Sequence, residues 1–256
     1  MTFKTIIAFF ITIVRTMRKS ILLTGLLLGS IGTAYADEES DSKYKWSGNG
    51  QLGFTSTSGN TDTTSVTAGL KITVETGKWI SNVTLDILNA SNNGEDTADR
   101  FIVSSKTGYK FNQKNYFYYG SRYENDNFSG YDYVMSSGIG WGHKFHDSKE
   151  TRLITETGLG YKIQALDIDR SETTGLAFLG KLDFMYQLTD SMSFENLTII
   201  ESTSDNTFIQ NDAGLAFKVN DKFKVKLAHQ YRHNTDVPVA TKNTDTLVSA
   251  NLVYDF

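Results

Sequence analysis

The feature that most constrains the fold is an alternation of apolar and polar residues that recurs along most of the chain. From Thr64 to Glu75, the even-numbered positions are apolar or threonine, whereas the odd-numbered positions are polar or glycine, without one exception. A period of two places successive side chains on opposite faces of a strand, and over this length it is strong evidence for β structure.

Twelve segments show this alternation, and most are about 10 to 14 residues long, enough for a tilted strand to cross a bilayer. The predicted strands are Lys45 to Phe54, Thr64 to Glu75, Trp79 to Ala90, Arg100 to Phe111, Tyr116 to Asn125, Tyr131 to Phe145, Thr151 to Lys162, Thr174 to Leu188, Met192 to Thr203, Phe208 to Val219, Lys222 to His233 and Thr246 to Phe256.

The last segment keeps its alternation up to the final residue, and Leu252, Tyr254 and Phe256 share its apolar face. In lipid, the last strand of a sheet must pair with the first, because an open edge leaves backbone groups unpaired. We therefore predict an all-β fold: a single antiparallel up-and-down transmembrane β-barrel of about twelve strands, an even number as in bacterial outer-membrane proteins. The same three residues are the expected terminal signal that closes the barrel and engages the barrel-insertion machinery.

The first 36 residues are expected to be targeting sequence, because they contain four basic residues, no acidic residue and a small-residue end. Met17 is the expected true start, and the residues before it form an upstream extension. A basic region and then an apolar region follow Met17. Ala34 and Ala36 form an A-x-A site, with cleavage expected after Ala36. An inner-membrane anchor is the weaker alternative, since each apolar run is too short to span. Residues 37–44 form a polar leader, and residues 45–256 form the barrel of the outer membrane.

Composition excludes several classes of protein. The chain has no Cys, which excludes disulfides and thiolate metal sites. Its single Pro suits a chain made mostly of hydrogen-bonded strands. Without the four basic residues before residue 37, the 25 basic residues fall to 21 against 29 acidic ones, a net charge of −8. This charge argues against nucleic acid as a partner and leaves outer-membrane lipid and lipopolysaccharide as the expected surroundings.

The connections alternate between short turns and longer polar loops, as they do in outer-membrane barrels. Short ones follow the even-numbered strands, and the longer ones include Ser91 to Asp99, Asp126 to Gly130, Ile163 to Thr173 and Asn234 to Asp245. Both termini are therefore expected on the periplasmic side.

A soluble sandwich would bury the apolar face instead, and periodicity alone does not distinguish the two folds. The targeting segment, the turn asymmetry and the terminal Phe favour the barrel.

The inward faces predict what the lumen contains. Small residues leave one wall of the predicted lumen nearly bare: Gly138, Gly140, Gly142, Gly158, Gly160, Gly175 and Ala177. Charged residues beside them form the predicted lumen constriction of a narrow water-filled pore: Arg122, Glu124, Arg152, Glu156, Lys181 and Asp183. The alternative is that these charges pair and the glycines only ease curvature, which leaves a closed structural barrel.

The segment from Phe54 to Thr63, with its Ser-Gly-Asn-Thr turn, resembles the salt-induced outer-membrane protein family, which is YdiY-like and classed as a domain of unknown function. The resemblance extends over nearly all of Lys45 to Phe256. It implies an outer-membrane barrel associated with salt or envelope stress, with no established reaction and no catalytic residues to transfer.

Some twelve-stranded barrels are phospholipases with a catalytic group on the lipid face, and the outward residues His229 and Asn211 match such a group only in part. No outward Ser is placed as a nucleophile, and the His residues lack metal-ligand spacing, so we predict no enzyme, no cofactor and no metal site. The expected function is a narrow passive pore for small ions or solutes, or a structural envelope component. The alternatives are a surface adhesion or scaffold barrel with a closed lumen and, less favoured, the lipid-face hydrolase.

Overall fold

The computed structural model describes residues 44–57, 63–239 and 241–256. The predicted start at Met17, the cleavage site at Ala34 and Ala36, and the polar leader up to residue 43 lie outside the described residues. They stay predictions.

Twelve antiparallel strands form the described fold, and each follows the alternating pattern of its sequence. Their bounds are β1 (Tyr44–Thr57), β2 (Thr63–Thr76), β3 (Trp79–Asn92), β4 (Glu95–Lys110), β5 (Asn115–Asp126), β6 (Tyr131–Asp147), β7 (Thr151–Leu166), β8 (Glu172–Thr189), β9 (Met192–Ser202), β10 (Thr207–Lys218), β11 (Phe223–Asn234) and β12 (Thr244–Asp255). Within the described residues, no helix is long and apolar enough to cross a membrane.

Each strand pairs with its neighbours in sequence, and β1 also pairs with β12, which closes the barrel. In this closing pair Leu52 lies opposite Leu252, and Gly50 lies opposite Tyr254. Phe256 extends the ladder beyond β12: its N–H donates to the Gly48 carbonyl at 2.9 Å and its carbonyl accepts from the Gly48 N–H at 2.8 Å. The predicted closed, antiparallel, twelve-stranded all-β barrel is confirmed.

The barrel has two distinct ends. The terminal end carries the start of β1 and the end of β12, together with the connections that follow the even-numbered strands; the loop end carries the other connections. At the loop end, β11 and β12 are joined by the longest connection that the structure describes, the segment between Asn234 and Thr244.

The predicted loop from Ser91 to Asp99 is wrong. β3 continues to Asn92 and β4 begins at Glu95, so only two residues separate them. Asn93 has φ of 51° and Gly94 has φ of 83°, and two left-handed residues form the tight turn that joins right-twisted strands. An Asn-Gly pair is a hairpin signal, but the polar residues around it have the composition of a loop. The predicted loop from Ile163 to Thr173 is shorter too, because β7 continues to Leu166 and β8 begins at Glu172.

The two faces of the wall have opposite chemistry. Large apolar side chains point outward and are exposed, for example Trp46 (68%), Phe117 (62%) and Leu159 (68%). In the described part of the chain no large side chain is fully buried, and inward positions hold buried charged residues such as Glu201 and Arg232. A soluble sandwich would show the reverse arrangement. The structure therefore has the apolar outer face of a membrane barrel.

The Asn93–Gly94 turn gives a test of the corrected hairpin. We expect Gly94→Ala to destabilise the barrel by about 1 to 2 kcal/mol, because an L-residue is strained at a left-handed φ. Urea unfolding of the protein in lipid vesicles, followed by tryptophan fluorescence, measures this change.

Gly50→Ala is the matched control. A Cβ at Gly50 has only the Gly69 carbonyl oxygen nearby, at 4.0 Å, so this variant is expected to unfold like the wild type. Equal unfolding midpoints for the two variants would contradict the tight turn.

Candidate functional site

Inward charged residues in the loop-end half of the lumen converge on one another. We call this group the partition; it comprises Arg100 on β4, Arg122, Glu124 and Asp126 on β5, Lys162 on β7, Glu201 on β9, Phe208 on β10 and Arg232 on β11. Strand alternation points each of these side chains inward, and the position of each in its strand places it near the loop end.

The partition joins opposite walls of the barrel. Arg232 Nη2 lies 2.5 Å from Glu124 Oε1, and its Nη1 lies 3.3 Å from Asp126 Oδ2. β11 and β5 are separated by five strands in either direction around the barrel. These two ion pairs therefore cross the full width of the lumen. A second crossing link joins Arg100 on β4 to Gln230 on β11 by a hydrogen bond from the guanidinium to the amide oxygen.

Glu201 is a second junction of the partition. Its carboxylate accepts a hydrogen bond from Ser136 at 2.8 Å and lies 3.3 Å from Lys162 Nζ and 4.0 Å from an Arg122 nitrogen. Arg122 also pairs with Glu124 on its own strand. Arg122 thus links the Glu201 junction to the Arg232 bridge, and the partition is a continuous network.

One aromatic ring lies among the cations of the partition. The Phe208 ring is almost fully buried, and its centroid lies 5.0 Å from the Arg232 guanidinium, 5.2 Å from that of Arg122 and 5.3 Å from Lys162 Nζ. A cation over an aromatic face is attracted by the ring quadrupole, more strongly where water is excluded. Phe208 therefore fills apolar space between like charges that would otherwise repel across it.

The partition is nearly dry. The side chains of its seven charged residues are between 3% and 12% exposed. Charges this buried persist only when each has partners, since removing an ion from water costs several kcal/mol. In the conformation described, the lumen is filled by side chains at this level.

Eight of the inward charges nearer the terminal end form a second group, which we call the vestibule. It comprises Lys71, Lys106, Arg152, Glu156, Lys181, Asp183, Glu195 and Lys226. Arg152 pairs with Asp183 at 2.9 Å and Lys226 with Glu195 at 2.6 Å, and these four side chains are 22% to 36% exposed. Solvent therefore reaches these two pairs, whereas Glu156, which pairs with Lys106, is only 6% exposed and is as buried as the partition.

Tyrosine side chains cover the glycine wall at Gly140, Gly142 and Gly158, which contradicts the predicted bare wall at these positions. Tyr116 and Tyr118 on β5 lie directly opposite Gly142 and Gly140 on β6. A Cβ at Gly140 would lie 2.6 Å from the Tyr118 ring, and one at Gly142 would overlap the Tyr116 ring. The glycines provide space in which the two rings lie against the wall, because only a residue without a side chain permits so close an approach.

The covering rings also belong to the polar lining. The Tyr116 hydroxyl donates a hydrogen bond to Glu156, which also pairs with Lys106. Lys106 Nζ lies 5.7 Å from the centroids of both the Tyr116 and Tyr118 rings. The tyrosines thus position the Lys106–Glu156 pair within the vestibule.

The six predicted constriction residues lie in two layers. Arg122 and Glu124 belong to the partition, whereas Arg152, Glu156, Lys181 and Asp183 belong to the vestibule. The sequence prediction missed six partition residues: Arg100, Asp126, Lys162, Glu201, Phe208 and Arg232. Their place in the alternating pattern indicates that they point inward, but the pattern does not show which inward residues meet across a lumen.

His229 and Asn211 lie on neighbouring strands but not opposite each other: Asn211 lies opposite Tyr231, two residues from the Ala213 that faces His229. The Asn211 side chain hydrogen-bonds to Asn196 and to Thr198, on the neighbouring β9. His229 is an exposed residue of β11 that lies between Ala213 and Val248.

A family described as a protein of unknown function, DUF481, matches residues 50–256 of this sequence. The chain belongs to the DUF481 family. Its likeness to the uncharacterized protein YdiY of Escherichia coli K12 is 23% identity over 255 residues, covering 94% of this chain and 98% of that protein. The YdiY-like resemblance read from the sequence is confirmed.

Among solved structures, an outer-membrane channel from Pseudomonas putida F1 is similar, with a TM-score of 0.50 and 9% identity, over 86% of this chain and all of that one. This likeness shows the fold, an outer-membrane type of β-barrel.

The dryness of the partition predicts a difference between two glutamates. Glu201→Gln is expected to lower the free energy of unfolding by about 3 to 5 kcal/mol, because it leaves Lys162 and Arg122 with uncompensated buried charge. Urea unfolding in lipid vesicles measures this loss.

Glu195→Gln is the control on the same strand, in the solvated pair with Lys226. A solvent-exposed ion pair contributes about 1 kcal/mol or less, so this variant is expected to stay close to wild type. Equal destabilisation by both variants would show that the partition is as hydrated as the vestibule.

Proposed function

We propose that the protein is an outer-membrane barrel that acts as a narrow passive pore, closed by the partition in its resting conformation. The observation that carries the proposal is the difference in burial along the lumen: the Arg152–Asp183 and Lys226–Glu195 pairs of the vestibule are partly exposed, whereas the charged side chains of the partition are almost fully buried. In this proposal the partition is the one barrier between the vestibule and the loop end.

The apolar outer face supports insertion in a membrane, and the barrel fold shared with an outer-membrane channel supports the outer membrane as its location. With both termini in the periplasm, as the connection pattern predicts, the vestibule opens to the periplasm and the partition lies near the cell surface. Small ions or solutes are then the species that pass, and lipid and lipopolysaccharide surround the wall.

The partition can open because its links come from side chains and not from the wall. Long Arg and Lys side chains hold the crossing contacts between β5, β9 and β11, and each can adopt another rotamer while the hydrogen-bonded ladders stay intact. The backbone barrel sets the maximum width, and the side chains set the width at rest.

The second candidate is a structural envelope component with a permanently closed lumen. The specific observation in its favour is the Arg232–Glu124 bridge, which ties opposite walls together. The two candidates differ in whether current ever crosses the partition.

Single-channel recording in a planar bilayer decides between them. We expect the wild-type protein to be mostly closed with small steps, and the double variant Glu124→Gln, Arg232→Gln to show larger and more frequent steps. The double substitution removes both charges of the bridge together, and the ions that each also paired with keep another partner: Arg122 keeps Glu201, and Asp126 keeps Arg100.

The matched control is Glu75→Gln with Lys110→Gln, a pair at the terminal end whose atoms lie 2.7 Å apart and which is more exposed. It is expected to conduct like the wild type. Silence from folded wild-type and double-variant barrels would overturn the pore and support the structural role, and equal steps from all three proteins would show that the partition is not the barrier.

A further inference from the structure

A groove lies on the outer face of the barrel, across the strands from β3 to β8. Its volume is about 750 Å³, within the range of about 300 to 1,000 Å³ that is usual for ligand sites. The lining is mostly apolar, and it includes Trp79, Phe117, Trp141, Leu159 and Phe178. We call this feature the outer groove.

Short side chains deepen the outer groove between these large ones. Thr107 lies opposite Tyr119, and Thr157 lies opposite Trp141, and all four residues belong to the lining. A small residue thus faces a ring in each of the two pairs. The surface is recessed at the threonines, and exposed rings stand beside the recess.

The outer groove extends from the terminal end toward the middle of the wall. Trp79 is the first residue of β3, and its ring contacts that of Tyr109, with 5.0 Å between the centroids. Phe178, which also lines the groove, lies in the loop-end half of β8. Aromatic residues at a strand end mark the level of the lipid headgroups. The groove therefore follows the path of an acyl chain, from the headgroups toward the hydrocarbon centre.

A cation lies at the terminal end of the outer groove. Lys78 is an exposed residue of the turn between β2 and β3, and its Nζ lies 5.8 Å from the centroid of the Tyr109 ring, which lines the groove. Among the residues that the structure describes, Lys78 forms no ion pair with a carboxylate. Basic side chains at a membrane surface attract anionic lipids. The cation and the groove thus match the headgroup and the chain of one lipid.

We propose that the outer groove binds an acyl chain of an anionic glycerophospholipid whose phosphate lies at Lys78. In the predicted orientation the terminal end is periplasmic, so this lipid belongs to the inner leaflet of the outer membrane. The site goes beyond the proposed pore, because it lies on the outer face of the wall. It rests on the membrane location in that proposal and not on conduction.

Tryptophan quenching by brominated lipid tests the site, because Trp79 and Trp141 line the groove. The third tryptophan, Trp46, is 68% exposed on the outer face of β1 and does not line the groove. The variant Trp46→Phe reports on the groove, and the double variant Trp79→Phe, Trp141→Phe reports on the surrounding lipid. Each is placed in phosphatidylcholine vesicles in which a chain-brominated lipid replaces a rising fraction of the host.

We expect brominated phosphatidylglycerol to quench the groove tryptophans with an affinity about fivefold higher than brominated phosphatidylcholine, the effect of one lysine on an anionic lipid. The two lipids are expected to quench Trp46 equally. Equal quenching of the groove tryptophans by both lipids would overturn the site.

Lys78→Gln, made in the Trp46→Phe protein, is expected to abolish the preference for phosphatidylglycerol. Lys222→Gln is its matched control, because Lys222 is an exposed lysine in the short turn between β10 and β11 at the same end of the barrel. This control is expected to keep the full preference. Equal losses in the two variants would overturn the role of Lys78.

Thr157→Leu fills the recess, so it is expected to remove the preference without a change at Lys78. Thr246→Leu is the control: Thr246 lies opposite the outward Tyr231, on β12 and away from the groove. Urea unfolding in vesicles verifies that both variants are folded. A cross-linked dimer that Thr157→Leu dissociates, without any lipid preference in the parent protein, would assign the groove to a second copy of the chain and overturn the lipid site.

The quenching experiment is independent of conduction. A silent barrel that prefers phosphatidylglycerol would overturn the pore and support the lipid site, whereas a conducting barrel without this preference would do the opposite.

Discussion

The rest of the structure depends on one constraint: charge inside the lumen is stable only when partners compensate it. Arg232 and Glu124 meet this constraint by reaching across the barrel from β11 and β5. That contact exists because the closed ladder of twelve strands fixes two opposite walls within reach of two long side chains. Where partners are close and water is excluded, side chains fill the lumen; where solvent remains, the ion pairs are partly exposed.

The outer face of the barrel wall is apolar, whereas the lumen is charged and polar. Aromatic and aliphatic side chains that would form the core of a soluble protein are displayed outward here, and the interior is lined with charge, amide and glycine. The closing contact between β1 and β12 makes this inversion possible, because it leaves no edge strand exposed to lipid. The terminal Phe256 extends this contact by pairing with Gly48, and its ring occupies the space that a side chain there would need.

The sequence predicted the wall well and the lumen only in part. Period-two alternation defines which residues face outward, so strand number, closure and the two faces followed from it. The Asn93–Gly94 turn was missed because its neighbours are polar and because loop composition resembles the composition of an extended hairpin at a membrane surface. The glycine wall was expected to be bare because alternation places no side chain there, yet Tyr116 and Tyr118 fill that space from the next strand. Register decides such contacts, and register is not visible in a single sequence. The role of Phe208 was harder still to predict from the sequence. A lone inward aromatic residue resembles an error in the alternating pattern until three cations are found around its ring.

The unequal hydration of the lumen also determines where an electric field acts. In the proposed pore, a vestibule filled with electrolyte would conduct and would carry little of a voltage applied across the membrane, so most of the drop would fall over the partition. A unit charge moved through 100 mV changes its energy by about 2.3 kcal/mol, and the four cations and three carboxylates of the partition lie where that gradient is steepest. In the proposed pore, the same field would draw Arg232 and Glu124 in opposite directions, which would make the barrier an electromechanical element as well as a steric one.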